Sequence, residues 1–124
     1  MKGIYCLILE IKNDVLIKVG ALGKINFEKG YYVYIGSALN NLEKRIERHL
    51  AKEKRMHWHI DYLTTNTNFE IIRVFYEQTN KKKECIVAKK IIEKGIPVKS
   101  FGCSDCKCIS HLVKVKEYDF IKSW

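Results

Sequence analysis

Tyr34-Ile35-Gly36-Ser37-Ala38-Leu39-Asn40-Asn41-Leu42-Glu43-Lys44-Arg45-Ile46-Glu47-Arg48-His49-Leu50 changes period in its middle, and that change decides the fold. The residues leading into it, Tyr31 to Ile35, alternate as a strand does. Tyr32 and Tyr34 fall on one face, and Tyr31, Val33 and Ile35 on the other. Beyond Gly36 the period becomes helical: Leu42, Ile46, His49 and Leu50 form an inward stripe, while Lys44, Arg48 and Lys52 face out. Asn40 reads as the N-cap, with Glu43 three residues on. Gly36 lets the chain turn from strand to helix and keeps the spot clear for close approach of backbone and phosphate. An ordinary strand-ending glycine would also explain it. Arg45 and His49, four apart, stack on one helical face beside the tyrosine face of the strand.

Working outward, Gly3 to Lys12 is a nearly continuous apolar run and predicts a strand covered on both faces. Asn13-Asp14 is a turn, and Val15 to Val19 returns as the second strand of a hairpin. Gly20-Ala21-Leu22-Gly23 breaks the pattern before Tyr31. The segment 57–63 is ambiguous between helix and strand, and a short helix ending before Asn66 is the reading preferred here. Phe69 to Gln78 is a strand with Ile71, Arg73, Phe75 and Glu77 on one side. Glu84 to Lys94 is a helix stopped by Gly95 and Pro97, and His111 to Tyr118 alternates as a last strand. The order β-β-β-α-(α)-β-α-β predicts one small α+β domain over residues 1–124, its central antiparallel or mixed sheet flanked by helices.

Composition bounds the partners. The chain has 124 residues, 47% hydrophobic and 30% charged, which excludes a disordered chain. No apolar run reaches membrane-spanning length and no signal-peptide pattern opens the chain, so we expect a cytoplasmic protein. Lys and Arg number 23 against 14 Asp and Glu, a net +9 that favours anionic partners, nucleic acid first. A salt-bridged, thermophile-like surface would give the same excess. Clustering tilts the choice: Lys44, Arg45, Arg48, Lys52, Lys54 and Arg55 crowd the first helix and its exit, and Lys81-Lys82-Lys83 precede the next long one. We expect Lys44, Arg48, Lys52 and Arg55 to contact nucleic acid.

The tripeptides Gly3-Ile4-Tyr5 and Tyr34-Ile35-Gly36 carry a resemblance. With Ser37-Ala38, Glu43-Lys44-Arg45 and Arg48-His49 behind the second, the chain resembles the GIY-YIG nuclease superfamily. The blocks His57-Trp58-His59-Ile60-Asp61-Tyr62-Leu63 and Phe101-Gly102-Cys103-Ser104-Asp105-Cys106-Lys107-Cys108-Ile109-Ser110-His111-Leu112 are similar to those of its archaeal-type branch. Members of that branch stand alone or are fused to endonuclease III-type glycosylases. The resemblance implies a GIY-YIG-like fold and a metal-dependent endonuclease that hydrolyses phosphodiesters in DNA, in repair or recombination. RNA is the alternative substrate, and a DNA glycosylase or other repair enzyme the implied partner. It further implies that Tyr5 or Tyr34 activates a water, that Arg45 neutralises the phosphate and that His49 assists proton transfer. Glu84 would hold one Mg²⁺ or Mn²⁺, with Glu77 as rival ligand. The gap from Tyr5 to Tyr34 is long for the superfamily and implies an extra strand between the motifs.

Tyr34 immediately precedes the turn that delivers Arg45, and a nearby cation favours phenolate, so we expect Tyr34 to be the more easily ionised phenol. His57, His59 and Asp61 read equally as accessory phosphate contacts or as a Trp58-anchored helix with hydrogen-bonded histidines. Five cysteines in a cytosolic chain do not suggest a disulfide framework. Cys103, Cys106, Cys108 and His111 have zinc-ligand chemistry, but their spacing is more compact than the usual paired knuckles. A tight loop with buried thiols is the preferred reading, and a zinc-stabilised interaction domain the alternative. Against the enzyme stands a catalytically silent nucleic-acid-binding module acting with a DNA-repair enzyme.

Overall fold

A computed structural model describes residues 2–102 and 108–123. Its centre is β1 (Gly3–Ile11), nine residues of which only Glu10 is not fully buried. A strand with neighbours on both edges and helices on both faces leaves no position for a solvated side chain, hence its unbroken apolar run. The order along the sheet is β5 (Glu70–Gln78), β1, β4 (Gly30–Ala38), β7 (Leu112–Val115) and β6 (Gly95–Pro97), and every pairing is antiparallel. The α+β expectation holds, with an antiparallel sheet rather than a mixed one.

Val15 to Lys18 (β2) does not pair with β1 as the sequence suggested. It forms a separate two-stranded sheet with β3 (Lys24–Phe27), a strand the sequence reading placed in a loop. This hairpin fills the long gap between the two tripeptides. It covers one face of the main sheet with Ile17, Val19 and Phe27.

Two cores lie on opposite faces. Tyr5, Leu7, Leu9, Tyr32 and Tyr34 point to the first, which is closed by the hairpin, Leu42 of α1 (Leu42–Leu50) and Leu63 of α2 (Asp61–Thr64). Ile4, Cys6, Ile8, Val33 and Ile35 point to the second, closed by Val87, Ala88 and Ile91 of α3 (Glu84–Ile92). The tyrosine-face assignment from alternation is therefore correct. Burying each Leu or Ile contributes about 1.5–3 kcal/mol, so these two layers dominate any single polar contact described below.

Several local expectations are corrected. Asn41, not Asn40, caps α1: it sits at φ 49° and accepts from the Lys44 amide at 3.3 Å. Asparagine tolerates that left-handed position better than most residues. Leu50 is 51% exposed at the residue where the helix ends. On β5 the pairing slips between Ile8 and Leu9, whose partners are Arg73 and Ile71. The extra residue puts Ile71 with Val74 in one core and Ile72 with Phe75 in the other, so the strict alternation fails there. Gly95 and Pro97 do more than stop α3: they form the edge strand β6, where proline needs no ladder donor.

Candidate active site

β1 and β4 pair with Tyr5 opposite Gly36 and Leu7 opposite Tyr34. Both phenols consequently rise from one face of adjacent strands. A Cβ on Gly36 would run into the Tyr5 ring and hydroxyl. The glycine is thus needed for the tyrosine to lie across it, a more specific reason than the phosphate approach expected from the sequence.

α1 delivers the next groups. His49, 1% exposed, is hydrogen-bonded to Tyr5: Nε2 lies 2.6 Å from the phenol oxygen, and its ring is 6.0 Å from that of Tyr34. Arg45, one turn earlier, donates to the Ser37 carbonyl at 3.0 Å and lies over the Trp58 ring at 4.6 Å. Burial lowers the His49 pKa to about 3; Lys54 adds repulsion, Asp61 pulls the other way, and Arg48 and Arg45 add smaller repulsion. The imidazole is neutral at pH 7.

Burial raises both phenols, and the two differ in what opposes it. At Tyr5 the charge and hydrogen bond of Arg45 act against desolvation. At Tyr34 the Tyr5, Glu84 and Asp61 charges add to desolvation, and Arg45 is the smallest influence. The cationic helix therefore serves Tyr5, which reverses the expectation that Tyr34 is the more easily ionised.

From the other face, α3 starts at Glu84 beside the end of β4. Glu84 accepts from Ser37 Oγ at 2.7 Å through one oxygen, and its other oxygen lies 2.9 Å from His111 Nδ1. Burial pushes its pKa up, but His111, Ser37 and nearby Arg45 outweigh it and hold the carboxyl below the usual range. Each oxygen keeps a lone pair, so the ionised carboxylate fits one bond to a largely hydrated Mg²⁺ or Mn²⁺. Glu77, the rival, lies on β5 and faces Lys83 at 3.6 Å, outside this site.

Tyr5, Tyr34, Gly36, Ser37, Arg45, His57, Trp58, His59, Glu84, Gly102 and His111 line a single open cavity of about 270 Å³. It lies at the end of β1 and β4, where groups from both faces of the sheet can meet. His49 supports it from behind through Tyr5.

The accessory set divides. Asp61, fully buried, accepts from both Arg48 guanidinium nitrogens and from the His57 and Trp58 amides, each at 2.9 Å. Burial raises its pKa, and these bonds more than reverse that. His59 Nδ1 accepts from the Gly102 amide at 2.9 Å, and its burial lowers its pKa. Asp61 and His59 are therefore fastenings of the fold, while exposed His57 borders the cavity. Arg48 is held by Asp61 and the Arg55 carbonyl, and Lys52 donates to the Phe69 carbonyl at 3.1 Å. Lys44 and Arg55 carry exposed side chains.

A family model described as a domain of unknown function, DUF123, matches residues 4–123. The chain belongs to the DUF123 family. No curated protein and no solved structure matches it. Among the described residues no helix is long and apolar enough to cross a membrane.

Of the zinc candidates in this DUF123 chain, Cys103 and Cys106 lie outside the described residues. Cys108 is joined to Cys85 in a disulfide, where the sequence had suggested thiols. The reason is proximity across the fold: Cys85 begins α3 beside Glu84, and the chain running into β7 brings Cys108 against it. Sequence reasoning also missed Ser37, Trp58 and the His111–Glu84 contact. Ser37 follows Gly36 directly and Cys85 follows Glu84, which was the only available signal for either.

Proposed function

We propose that this protein is a metal-dependent endonuclease of the GIY-YIG type that hydrolyses phosphodiesters in DNA, in repair or recombination. The observation that carries the reading is the Tyr5–His49 hydrogen bond at 2.6 Å in a cavity that also holds Arg45 and ionised Glu84. Phosphodiester hydrolysis needs a proton acceptor for water and cations for the charge that develops on phosphate. A phenol alone, with a pKa near ~10, is a poor base at pH 7. Paired with neutral His49, Tyr5 can take a proton from water while passing its own to Nε2, and no free phenolate has to form. A phosphate in the cavity offsets the repulsion that Lys54, Arg48 and Arg45 add at His49, the part of its depression that burial does not cause.

The attacking water forms the new P–O bond as the bond to the leaving oxygen breaks, and solvent protonates that oxygen. Arg45, fixed by Ser37 and Trp58, presents its remaining donors to a non-bridging oxygen. Glu84 would hold Mg²⁺ or Mn²⁺, a Lewis acid that stabilises negative charge on phosphate oxygens when bound. Ser37 and His111 keep that carboxylate ionised and aimed. Tyr34 shapes the wall beside Tyr5.

Incubation with branched, nicked and supercoiled DNA in Mn²⁺ tests this. Cleavage that disappears in Arg45→Ala and in Glu84→Ala supports it. Salt-sensitive binding without cleavage of any substrate would leave the silent DNA-binding module, acting with a repair enzyme, as the correct account.

A further inference from the structure

The Cys85–Cys108 pair adjoins His111, and the ligand atoms of all three residues lie within 4.8 Å of one another. His111 Nε2 is 3.9 Å from Cys85 Sγ. Its other nitrogen, Nδ1, lies 2.9 Å from a Glu84 oxygen. A carboxylate beside one imidazole nitrogen orients the ring, and the second nitrogen faces Cys85 Sγ. This is the arrangement that orients histidine toward a metal. Two sulfurs and a nitrogen are a soft donor set, unlike the lone carboxylate offered to Mg²⁺.

We propose that, with the disulfide reduced, Cys85, Cys108 and His111 form a binding site for a zinc-class cation, with Glu84 as the outer partner of the imidazole. Around a tetrahedral zinc, with Zn–S near ~2.3 Å and Zn–N near ~2.0 Å, sulfur and nitrogen sit ~3.5 Å apart. The observed 3.9 Å requires only a small closing movement. The Cα atoms of the two cysteines are 6.0 Å apart, so the sulfurs can separate by side-chain rotation alone. Cys85 is exposed, Cys108 half-buried and His111 buried, which gives the site an anchored floor and an open mouth. A second cavity, lined by Cys85, Lys89, Ile92, Cys108 and Ile109, provides the entry. Water completes the coordination.

Loading follows a balanced exchange. A dithiol reductant gives two electrons and two protons to the Cys85–Cys108 bond and itself closes to a disulfide. Zinc then replaces the two thiol protons, which pass to buffer. In this scheme the disulfide and the metal exclude each other. The site shares Glu84 and His111 with the proposed nuclease cavity, but its loading does not depend on DNA.

The test uses the full chain, reduced with a dithiol, desalted without oxygen and titrated with Co²⁺ and then Zn²⁺. We expect one cation per chain, thiolate-to-cobalt charge-transfer absorption of tetrahedral character, and displacement of that signal by zinc. Protein with the disulfide intact should take up none. Cys85→Ser and Cys108→Ser should each lose the two-thiolate spectrum while keeping the circular dichroism of the parent. No uptake by reduced, folded protein would overturn the proposal. So would undiminished uptake by Cys85→Ser together with its loss in a Cys103→Ser, Cys106→Ser variant, which would move the metal to the sequence cluster. Because cleavage is not measured, failure here leaves the nuclease reading untouched.

Discussion

Tyr5 and His49 form a hydrogen-bonded pair buried inside the protein, and that burial has a measurable cost in acid. The unfolded chain protonates His49 near pH 6.5, whereas the folded chain resists until about pH 3. Its contribution to stability is therefore complete above pH 6.5 and is lost as pH falls toward 3. The slope is at most about 1.4 kcal/mol per pH unit. His59, also depressed by burial, acts in the same direction. Asp61 and Glu84 have lowered carboxyl pKa values, so their contributions begin to fade only in the usual carboxylate range and are lost below it. Urea unfolding of the parent should show declining stability from pH 6.5 to 5, and His49→Gln should flatten it. An equally steep decline in the variant would show that His49 is not the group responsible. The pairing itself was only half legible in the sequence. Spacing placed Arg45 and His49 on one helical face, but which phenol they would meet depends on strand register, which no local pattern encodes.

At the scale of elements, the Asp61 carboxylate ties α1 to the start of α2, since it binds Arg48 and two consecutive amides. Removing it orphans all of them. Breaking a buried ion pair costs about 3–5 kcal/mol, and the low end applies because the Arg48 side chain is 30% exposed. We expect Asp61→Ala to lower the unfolding free energy by about 3 kcal/mol in denaturant titration. Removing Glu77 from its exposed contact with Lys83 should cost no more than about 1 kcal/mol. If Asp61→Ala were as mild as Glu77→Ala, the fastening role would be wrong. β1 and β4 were readable as long apolar stretches because both their faces are buried, and α1 by its period because one of its faces is. The short strands β3 and β6 were not, because four and three residues are too few to display a period. The bulge on β5 is likewise a property of pairing with β1 and leaves no mark in β5's own sequence.

For the whole molecule, the +9 charge and the cavity at the end of the sheet make one argument. Of the four expected contacts, Arg48 and Lys52 have hydrogen-bond partners within the fold, while Lys44 and Arg55 remain exposed. Their charge should be felt by a polyanion. Replacing both with alanine should reduce the slope of log affinity against log salt for duplex DNA by about 2, near 0.9 for each lost phosphate contact. An unchanged slope would put the DNA path elsewhere. The central claim is that Tyr5, backed by His49, is the group that activates water. Its most direct test is the single-turnover rate of DNA cleavage in Mn²⁺ for Tyr5→Phe and Tyr34→Phe, each compared with the parent at saturating protein. The account predicts that Tyr5→Phe slows the chemical step by about 10²–10⁴-fold, with binding intact, and that Tyr34→Phe is clearly milder. A Tyr5→Phe enzyme cleaving at the parent rate, or a larger loss in Tyr34→Phe, would contradict it.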